Sequence, residues 1–228
     1  MVGRDVGGGF AALRRFAERA TPPAATADAA ERCDFCGEPL PPEHRHLLEV
    51  ATRQARCVCR ACALLFDNEA ASDGRYRLIP DRRLYLADFR LDDAEWAGLQ
   101  IPVGLAFFCE STPAGRMLAY YPGPLGPTES LLPLDTWADL AADNPVLAGL
   151  RPDVEALLVN RARGAREHYL VPIDECYRLV GVIRLNWRGL GGGREVWDEL
   201  GRFFAALRAR CATVVNIVNE ETGDGEAR

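Results

Sequence analysis

The stretch CDFCGEPLPPEHRHLLEVATRQARCVCRAC, residues 33–62, holds five of the eight cysteines and two of the three histidines of this 228-residue chain. Four of these cysteines form two C-x-x-C pairs, Cys33 with Cys36 and Cys59 with Cys62. Two thiols three residues apart in a tight turn face one centre, and two such pairs supply the four sulfur ligands of a tetrahedral metal site. The stretch therefore predicts a small module built around a metal ion.

The residues around the two pairs predict the local structures that bring the thiols together. Gly37 follows the first pair, and a glycine there can adopt the positive φ that closes a metal-binding knuckle. HLLEV and ARCVC flank the polar turn ATRQ and predict a hairpin. CRACALLF predicts an apolar helix whose N-terminus favours thiolates. Knuckle, hairpin and helix in this order are similar to a treble-clef or zinc-ribbon-like module.

The predicted metal ligands are Cys33, Cys36, Cys59 and Cys62. Cys57 precedes Cys59 by two residues, so both face one side of a strand and Cys57 is a possible substitute. His44 and His46 are further substitutes, or they line a solvated strand entry. Zinc is the predicted metal because four thiolates close its shell, and iron in a rubredoxin-like site is the alternative. A module of about 40 residues buries little apolar area, so metal binding contributes about 10–16 kcal/mol to its folding.

The rest of the chain predicts an α+β fold, an antiparallel sheet with two packed helices. IPVGLAFFCES with MLAYYPG, and DVEALLVNRAR with REHYLVPI, are predicted hairpins, the second with a type II′ turn at Gly164 and Ala165. CYRLVGVIRLNW is a fifth predicted strand. LDTWADLAAD, with Asp135 as its N-cap, and REVWDELGRFFAALRARC are the predicted helices.

Changes in composition divide the chain into five parts. We expect a flexible segment (1–30) with a short amphipathic helix at residues 10–20, and then the metal module (31–71). A connector (72–100) with a strand at 76–79 and a short helix at 92–99 leads to the α+β domain (101–215). A polar tail (216–228) follows.

Composition and charge exclude several classes of function. The formal net charge is −6, and all 27 basic residues are arginines, so no catalytic or phosphate-binding lysine exists. An acidic chain lacks a general attraction for nucleic acid or anionic lipid, and we expect neither as a partner. No apolar run approaches the roughly 20 residues that span a membrane, and no secretion signal is evident. We expect a cytoplasmic protein in which clustered cysteines bind metal rather than form disulfides.

Three patterns that are typical of enzymes have simpler interpretations. HNH nucleases share the treble clef, but the Asp-His pair of their first strand is absent near His44 and His46. GLGGG, before the last predicted helix, lacks the lysine and the following strand of a phosphate-binding unit. Cys176 and His168 resemble a nucleophile and base, yet a lone cysteine in an apolar segment is more typical of a core. We predict no catalytic residue, with an enzyme site in the α+β domain as an alternative.

The second predicted hairpin has three arginines at its tip, NRARGAREHY. These are Arg161, Arg163 and Arg166. Arginine forms bidentate contacts with carboxylates at interfaces, so the tip predicts a docking patch for an acidic partner. A solvated surface is the alternative interpretation.

Several segments spread over residues 31–211 together resemble one family. They are ERCDFCGEPLPPEHRHLL, CRACALLF, GRYRLIPDRR, IPVGLAFF, TESLLPLD and LLVNRARGAREHYLVPIDECYRLVGVIRLNWRGL. The family is actinobacterial and is encoded beside high-affinity nickel–iron hydrogenases. The resemblance implies an accessory or maturation role, with hydrogenase subunits or maturation proteins as partners. The basis of this implication is the position of the genes and not the chemistry of the residues. An iron electron carrier for the hydrogenase is the alternative role.

Overall fold

The computed structural model describes residues 31–131, 134–189 and 191–215. The predicted helix at residues 10–20, the N-terminal segment (1–30) and the tail (216–228) lie outside the described residues. The strands are β1 (Arg45–Glu49), β2 (Gln54–Val58), β3 (Tyr76–Leu78), β4 (Leu84–Leu86), β5 (Leu105–Ser111), β6 (Arg116–Gly123), β7 (Gly126–Ser130), β8 (Glu155–Asn160), β9 (Glu167–Pro172) and β10 (Ala212–Val214). The α-helices are α1 (Arg60–Phe66), α2 (Glu69–Ser72), α3 (Asp93–Gly98), α4 (Leu134–Asp143), α5 (Ile173–Asn186) and α6 (Gly193–Arg210). Short 3₁₀ helices lie at Pro145–Gly149 and Ala162–Gly164.

Two sheets organise these elements. The small sheet has the order β2-β1-β3 and is antiparallel throughout. The large sheet has the order β10-β4-β9-β8-β5-β6-β7, and only the pair β10–β4 is parallel. The prediction of an α+β fold with a small cysteine-bearing module is confirmed.

None of the helices in the described part of the chain combines the length and the apolar character that crossing a membrane requires.

Helices cover the large sheet on both faces. Phe107 in β5 faces the core formed with α5 and α6, which we call the α5–α6 core. Its neighbour Phe108 faces the opposite core, formed with α3 and α4, and stacks on Trp137 with ring centroids 5.4 Å apart. Because successive side chains of a strand point to opposite faces, a strand buried on both faces is apolar throughout, as in Leu105–Cys109.

The predicted fifth strand, CYRLVGVIRLNW, is wrong, because this segment belongs to helix α5. Its β-branched residues are typical of strands, but the buried apolar residues of the helix recur at helical spacing. They are Ile173, Cys176, Leu179, Val180 and Ile183. Pro172 precedes the helix, and Asp174 and Glu175 place negative charge in its first turn, where the helix dipole favours it.

Two predictions about turns and caps are also wrong. Residues 161–166 connect β8 and β9, so this hairpin has a six-residue loop instead of a type II′ turn. Arg163 and Gly164 both have positive φ there, 54° and 84°. Helix α4 begins at Leu134, so Asp135 lies in its first turn rather than at the N-cap.

The small sheet is attached to the large one through shared side-chain contacts. On β1, Leu47 lies in the core around the cysteines, whereas its neighbour Leu48 lies in the α5–α6 core, and both are fully buried. Arg53, in the β1–β2 turn, donates a hydrogen bond to Cys109 Sγ at 2.9 Å. The same guanidinium lies 5.5 Å from the centre of the Tyr120 ring. We call residues 31–79 the N-terminal module.

Candidate metal centre

Two local structures position the four predicted ligands. Cys33 and Cys36 flank a turn in which Gly37 has a φ of 74° and donates its N–H to the Cys33 carbonyl at 2.8 Å. A residue with a side chain is strained at this φ, so glycine suits the position. Cys59 is the N-cap of α1, and Cys62 lies in the first turn of the same helix. The turn therefore directs two thiols toward one centre, and the N-terminus of α1 directs the other two toward the same centre.

The four sulfur atoms fit a metal ion. The Sγ atoms of Cys33, Cys36, Cys59 and Cys62 all lie within 4.8 Å of one another, and those of Cys36 and Cys59 are 3.7 Å apart. A tetrahedron with metal–sulfur distances of about 2.3 Å has sulfur–sulfur edges of about 3.8 Å. All four thiols are free, and each is available as a ligand. The donor set therefore suits a thiophilic ion in a closed shell.

Backbone groups stabilise negative charge at this centre. Burial raises the pKa of Cys33, but hydrogen bonds from backbone groups of Cys59, Cys36 and Phe35 outweigh it and lower this pKa to about 6. Burial, together with the neighbouring thiols, raises the pKa of Cys62 above its usual value. The Cys62 N–H also donates to Cys59 Sγ at 3.5 Å. One thiolate is thus favoured without metal, and further thiolates need a cation beside them.

The apolar core around the thiols is small. Phe35 stacks on Phe66 with ring centroids 4.3 Å apart, and Tyr76 meets Phe35 edge to face at 5.1 Å. Few other side chains are fully buried at this end of the module: Leu47, Val58 and Ala63. A core of this size supplies little free energy of folding, which a bound metal would supplement.

Glu49 ties the three strands of the small sheet together. Its side chain is 5% exposed and accepts hydrogen bonds from Arg56 on β2 at 2.7 Å and from Arg75 next to β3 at 2.9 Å. Thr52 donates a further bond at 3.1 Å. The hydrogen bonds from Arg56 and Arg75 lower the pKa of Glu49 to about 2. The carboxylate is therefore ionised near neutral pH and fastens both partner strands to β1.

The three proposed substitute ligands form a group of their own. One nitrogen of each of His44 and His46 and the Sγ of Cys57 lie within 4.8 Å of one another. His46 pairs with Asp174 at the start of α5, Nδ1 to Oδ2 at 3.1 Å. The hydrogen bond that His46 donates to Asp174 raises the pKa of His46 above its usual value.

The three arginines of the β8–β9 loop make contacts within the protein. Arg161 is 5% exposed, donates to the Leu91 carbonyl at 2.8 Å and pairs with Asp93. Arg166 is 54% exposed and pairs with the same carboxylate at 2.6 Å. Arg163 lies over the Trp197 ring, 4.9 Å from its centre. Arg163 and Arg166 are thus at the surface, whereas Arg161 fastens the loop to α3.

Cys176 and His168 lie on opposite sides of the large sheet. Cys176 is fully buried in the α5–α6 core, and burial raises its pKa well above the usual value. His168 stacks on Phe89 in the core on the other face, with ring centroids 4.7 Å apart. The sheet between them prevents the contact that a nucleophile and its base require.

Sequence patterns did not reveal Asp174 as a neighbour of the histidines. It is 128 residues from His46 and lies between two predicted strands, outside every predicted element. Its only local sign is an acidic position at the start of a helix, and such positions are common.

Comparison with known proteins gives one match. A protein-family model described as a family of unknown function (DUF5947) matches residues 32–211. The searches of curated proteins and of solved structures return no match. The matched segment begins one residue before the first predicted ligand and includes both clusters of potential metal ligands.

Proposed function

The chain belongs to the family of unknown function DUF5947, and we propose, from its own residues, that it is a non-catalytic accessory protein with one structural zinc ion. The ion is held by Cys33, Cys36, Cys59 and Cys62 in a treble-clef-type module. The observation that carries this proposal is the convergence of four free thiols with the spacing of a closed tetrahedral site. A zinc ion with four thiolate ligands has no open position for an activated water, so its role there is structural.

Metal analysis of the purified protein tests this assignment. We expect zinc at the four-cysteine site, and we expect Cys36→Ser to release it. Because the surrounding core is small, the Cys36→Ser variant should also become less resistant to protease, with the first cleavages within residues 31–71. Cys211→Ser, at a half-buried cysteine outside both clusters, is the matched control and should retain metal and resistance. Retention of the zinc by Cys36→Ser would contradict the ligand assignment.

Iron at the same thiols gives the second candidate function, an electron carrier. Four cysteine ligands suit rubredoxin-type iron as well as zinc, so the donor set supports both ions. The two ions differ in colour, because iron–thiolate sites absorb visible light and zinc sites do not. A colourless protein that contains stoichiometric zinc would rule out the electron carrier.

The proposed partner is a nickel–iron hydrogenase subunit or one of its maturation proteins. This part of the proposal is supported by the resemblance of residues 31–211 to proteins encoded beside such enzymes. Arg163 and Arg166 are the proposed contact residues, because both are exposed and suit an acidic partner surface. Arg161 is excluded from the contact, since its side chain is only 5% exposed and donates to the Leu91 carbonyl.

Charge reversal tests the docking surface separately from the metal site. We expect Arg163→Glu combined with Arg166→Glu to abolish co-purification with the hydrogenase subunits and to lower hydrogenase activity in the cell. Arg184→Glu combined with Arg202→Glu, at exposed arginines of α5 and α6, is the matched control. Normal hydrogenase activity after deletion of the whole gene would contradict the accessory role itself.

A further inference from the structure

The β1–β2 hairpin places three potential metal ligands on one of its faces. His46 lies directly opposite Cys57 in the antiparallel register, so their side chains share a face. His44 precedes His46 by two residues, and their rings are 4.8 Å apart. One potential ligand atom from each of the three residues lies within 4.8 Å of the others. This group, which we call the His–Cys cluster, is distinct from the group formed by the four cysteines.

Hydrogen bonds orient both imidazole rings. His44 donates from Nδ1 to the Pro41 carbonyl at 2.9 Å, which leaves Nε2 as its free nitrogen. His46 donates from Nδ1 to Asp174 at 3.1 Å, which likewise leaves Nε2 free. A backbone carbonyl and a carboxylate are the groups that usually accept this hydrogen bond from metal-binding histidines. Both rings are therefore fixed in the tautomer that binds metal through Nε2.

The free nitrogen of His44, Nε2, has no hydrogen-bond partner. The side chain is 5% exposed, and Nε2 is buried without a hydrogen-bond partner. An unsatisfied buried polar atom destabilises the folded state, and such atoms are rare in folded proteins. The exposed carboxylate of Glu31 lies 3.5 Å from Nε2, but a carboxylate can only accept a hydrogen bond and so cannot satisfy an unprotonated nitrogen. A cation at this position would satisfy the nitrogen.

We propose that His44, His46 and Cys57 bind a second divalent transition-metal ion, independently of the four-cysteine site. Two imidazoles and one thiolate suit ions of the zinc and cobalt class and not magnesium or calcium, which require oxygen ligands. Tetrahedral coordination would bring the ligand atoms to about 3.3–3.6 Å from one another, which small side-chain rotations achieve.

This second site differs from the first in having an open coordination position. Three side chains leave the fourth position of a tetrahedral ion for Glu31, water or a small ligand. A cleft of about 480 Å³, lined by His44, His46 and Asp174 among others, reaches the histidine side of the site from solvent. The ion at the His–Cys cluster is therefore exchangeable, whereas four thiolates fill every position of the ion at the four-cysteine site.

Metal titration of the full-length protein tests the proposal. A mild chelator first removes weakly held metal from the folded protein, and Zn²⁺ or Co²⁺ is then added while native mass spectrometry counts the ions. We expect the wild-type protein to bind one ion in addition to the ion that remains after the chelator treatment. Cobalt should produce the absorption of a cobalt–thiolate bond. Cys57→Ser and His44→Ala should each weaken this uptake at least tenfold and retain the ion of the four-cysteine site.

Three further measurements separate ligand loss from structural damage. Cys211→Ser, at a thiol outside both clusters, should bind the second ion with wild-type affinity. Asp174→Asn should weaken uptake about tenfold, because Asp174 orients His46 without touching the ion. In the wild type, added Zn²⁺ should protect Cys57 from alkylation, a readout that needs no variant. Uptake of no further ion by the wild type, or unchanged uptake by folded Cys57→Ser, would overturn the proposal.

Discussion

Cys59 shows how one side chain couples helix formation to metal binding. It is the N-cap of α1, a position where serine, threonine, aspartate or asparagine normally accepts a backbone hydrogen bond. Here a sulfur atom accepts it, and the same sulfur is one of the four converging thiols. No acidic residue lies in the first turn of α1 to replace this stabilisation. Loss of the metal should therefore weaken the start of α1 as well as the site.

At the residue scale, His168 should make stability depend on pH. Burial, with Arg166 nearby, lowers its pKa from 6.5 to about 4, so the unfolded chain binds its proton first as pH falls. The contribution of the neutral ring to the free energy of unfolding is fully present above pH 6.5. It falls by about 3 kcal/mol as the pH decreases from 6.5 to 4. His168→Leu should remove this dependence. The measurement is the difference in melting temperature between the two proteins across this range, and a constant difference would contradict the prediction.

At the scale of elements, the β8–β9 loop is held against the segment that precedes β5. Gly104 accepts a hydrogen bond at its carbonyl from the Arg161 N–H at 2.7 Å. A Cβ atom at Gly104 would lie 2.9 Å from the backbone N and Cα of Ala162. Backbone atoms cannot rotate away as a flexible side chain can, so the approach requires glycine.

Gly104→Ala should therefore destabilise the protein, by about 1–3 kcal/mol, through overpacking of the loop. Gly201→Ala is the matched control, because Gly201 is exposed in α6 and a Cβ there meets nothing within 4 Å. That control should stabilise the protein by about 0.5–1 kcal/mol, since alanine favours the helix. Chemical denaturation measures both changes. If Gly104→Ala were as stable as the wild type, the loop would have to shift to accept the methyl group, and the requirement for glycine would be contradicted.

The elements that sequence predicted correctly are those whose signals are local. Examples are the knuckle at Gly37, the β1–β2 hairpin and the helix after Cys59. Each depends on residues that are close to one another in sequence. The predicted strand CYRLVGVIRLNW is helical instead, because packing of one helix face against the sheet outweighs the local strand preference of its β-branched residues. The contact of His46 with Asp174 joins residues far apart in sequence, and no local pattern encodes it.

At the scale of the whole molecule, β1 joins the N-terminal module to the large sheet. Leu47 and Leu48 are adjacent and fully buried, yet they belong to different cores. Arg53 and His46 add polar contacts to Cys109 and Asp174 at the same junction. The module and the large sheet are therefore expected to unfold together rather than as independent units.

Leu48→Ala should lower the stability of both parts at once. Removing a buried leucine side chain costs about 2–5 kcal/mol, and this one supports the junction. Leu64→Ala is the matched control, because Leu64 lies on α1 of the module and is 67% exposed. Thermal unfolding, followed together with release of the metal, should show one transition that shifts only in Leu48→Ala. Two separate transitions in the wild type would refute the shared core.

The junction also sets an order of events during synthesis. Cys62 completes the four-cysteine set, but the α5–α6 core that contains Leu48 includes residues as late as Leu207. Roughly 145 residues separate these points, and at about 5–20 residues per second the ribosome needs roughly seven to thirty seconds to add them. During that interval the nascent chain can capture its metal while one face of β1 remains uncovered. In growing cells, we therefore expect a shortage of metal during those seconds to lower the yield of folded protein.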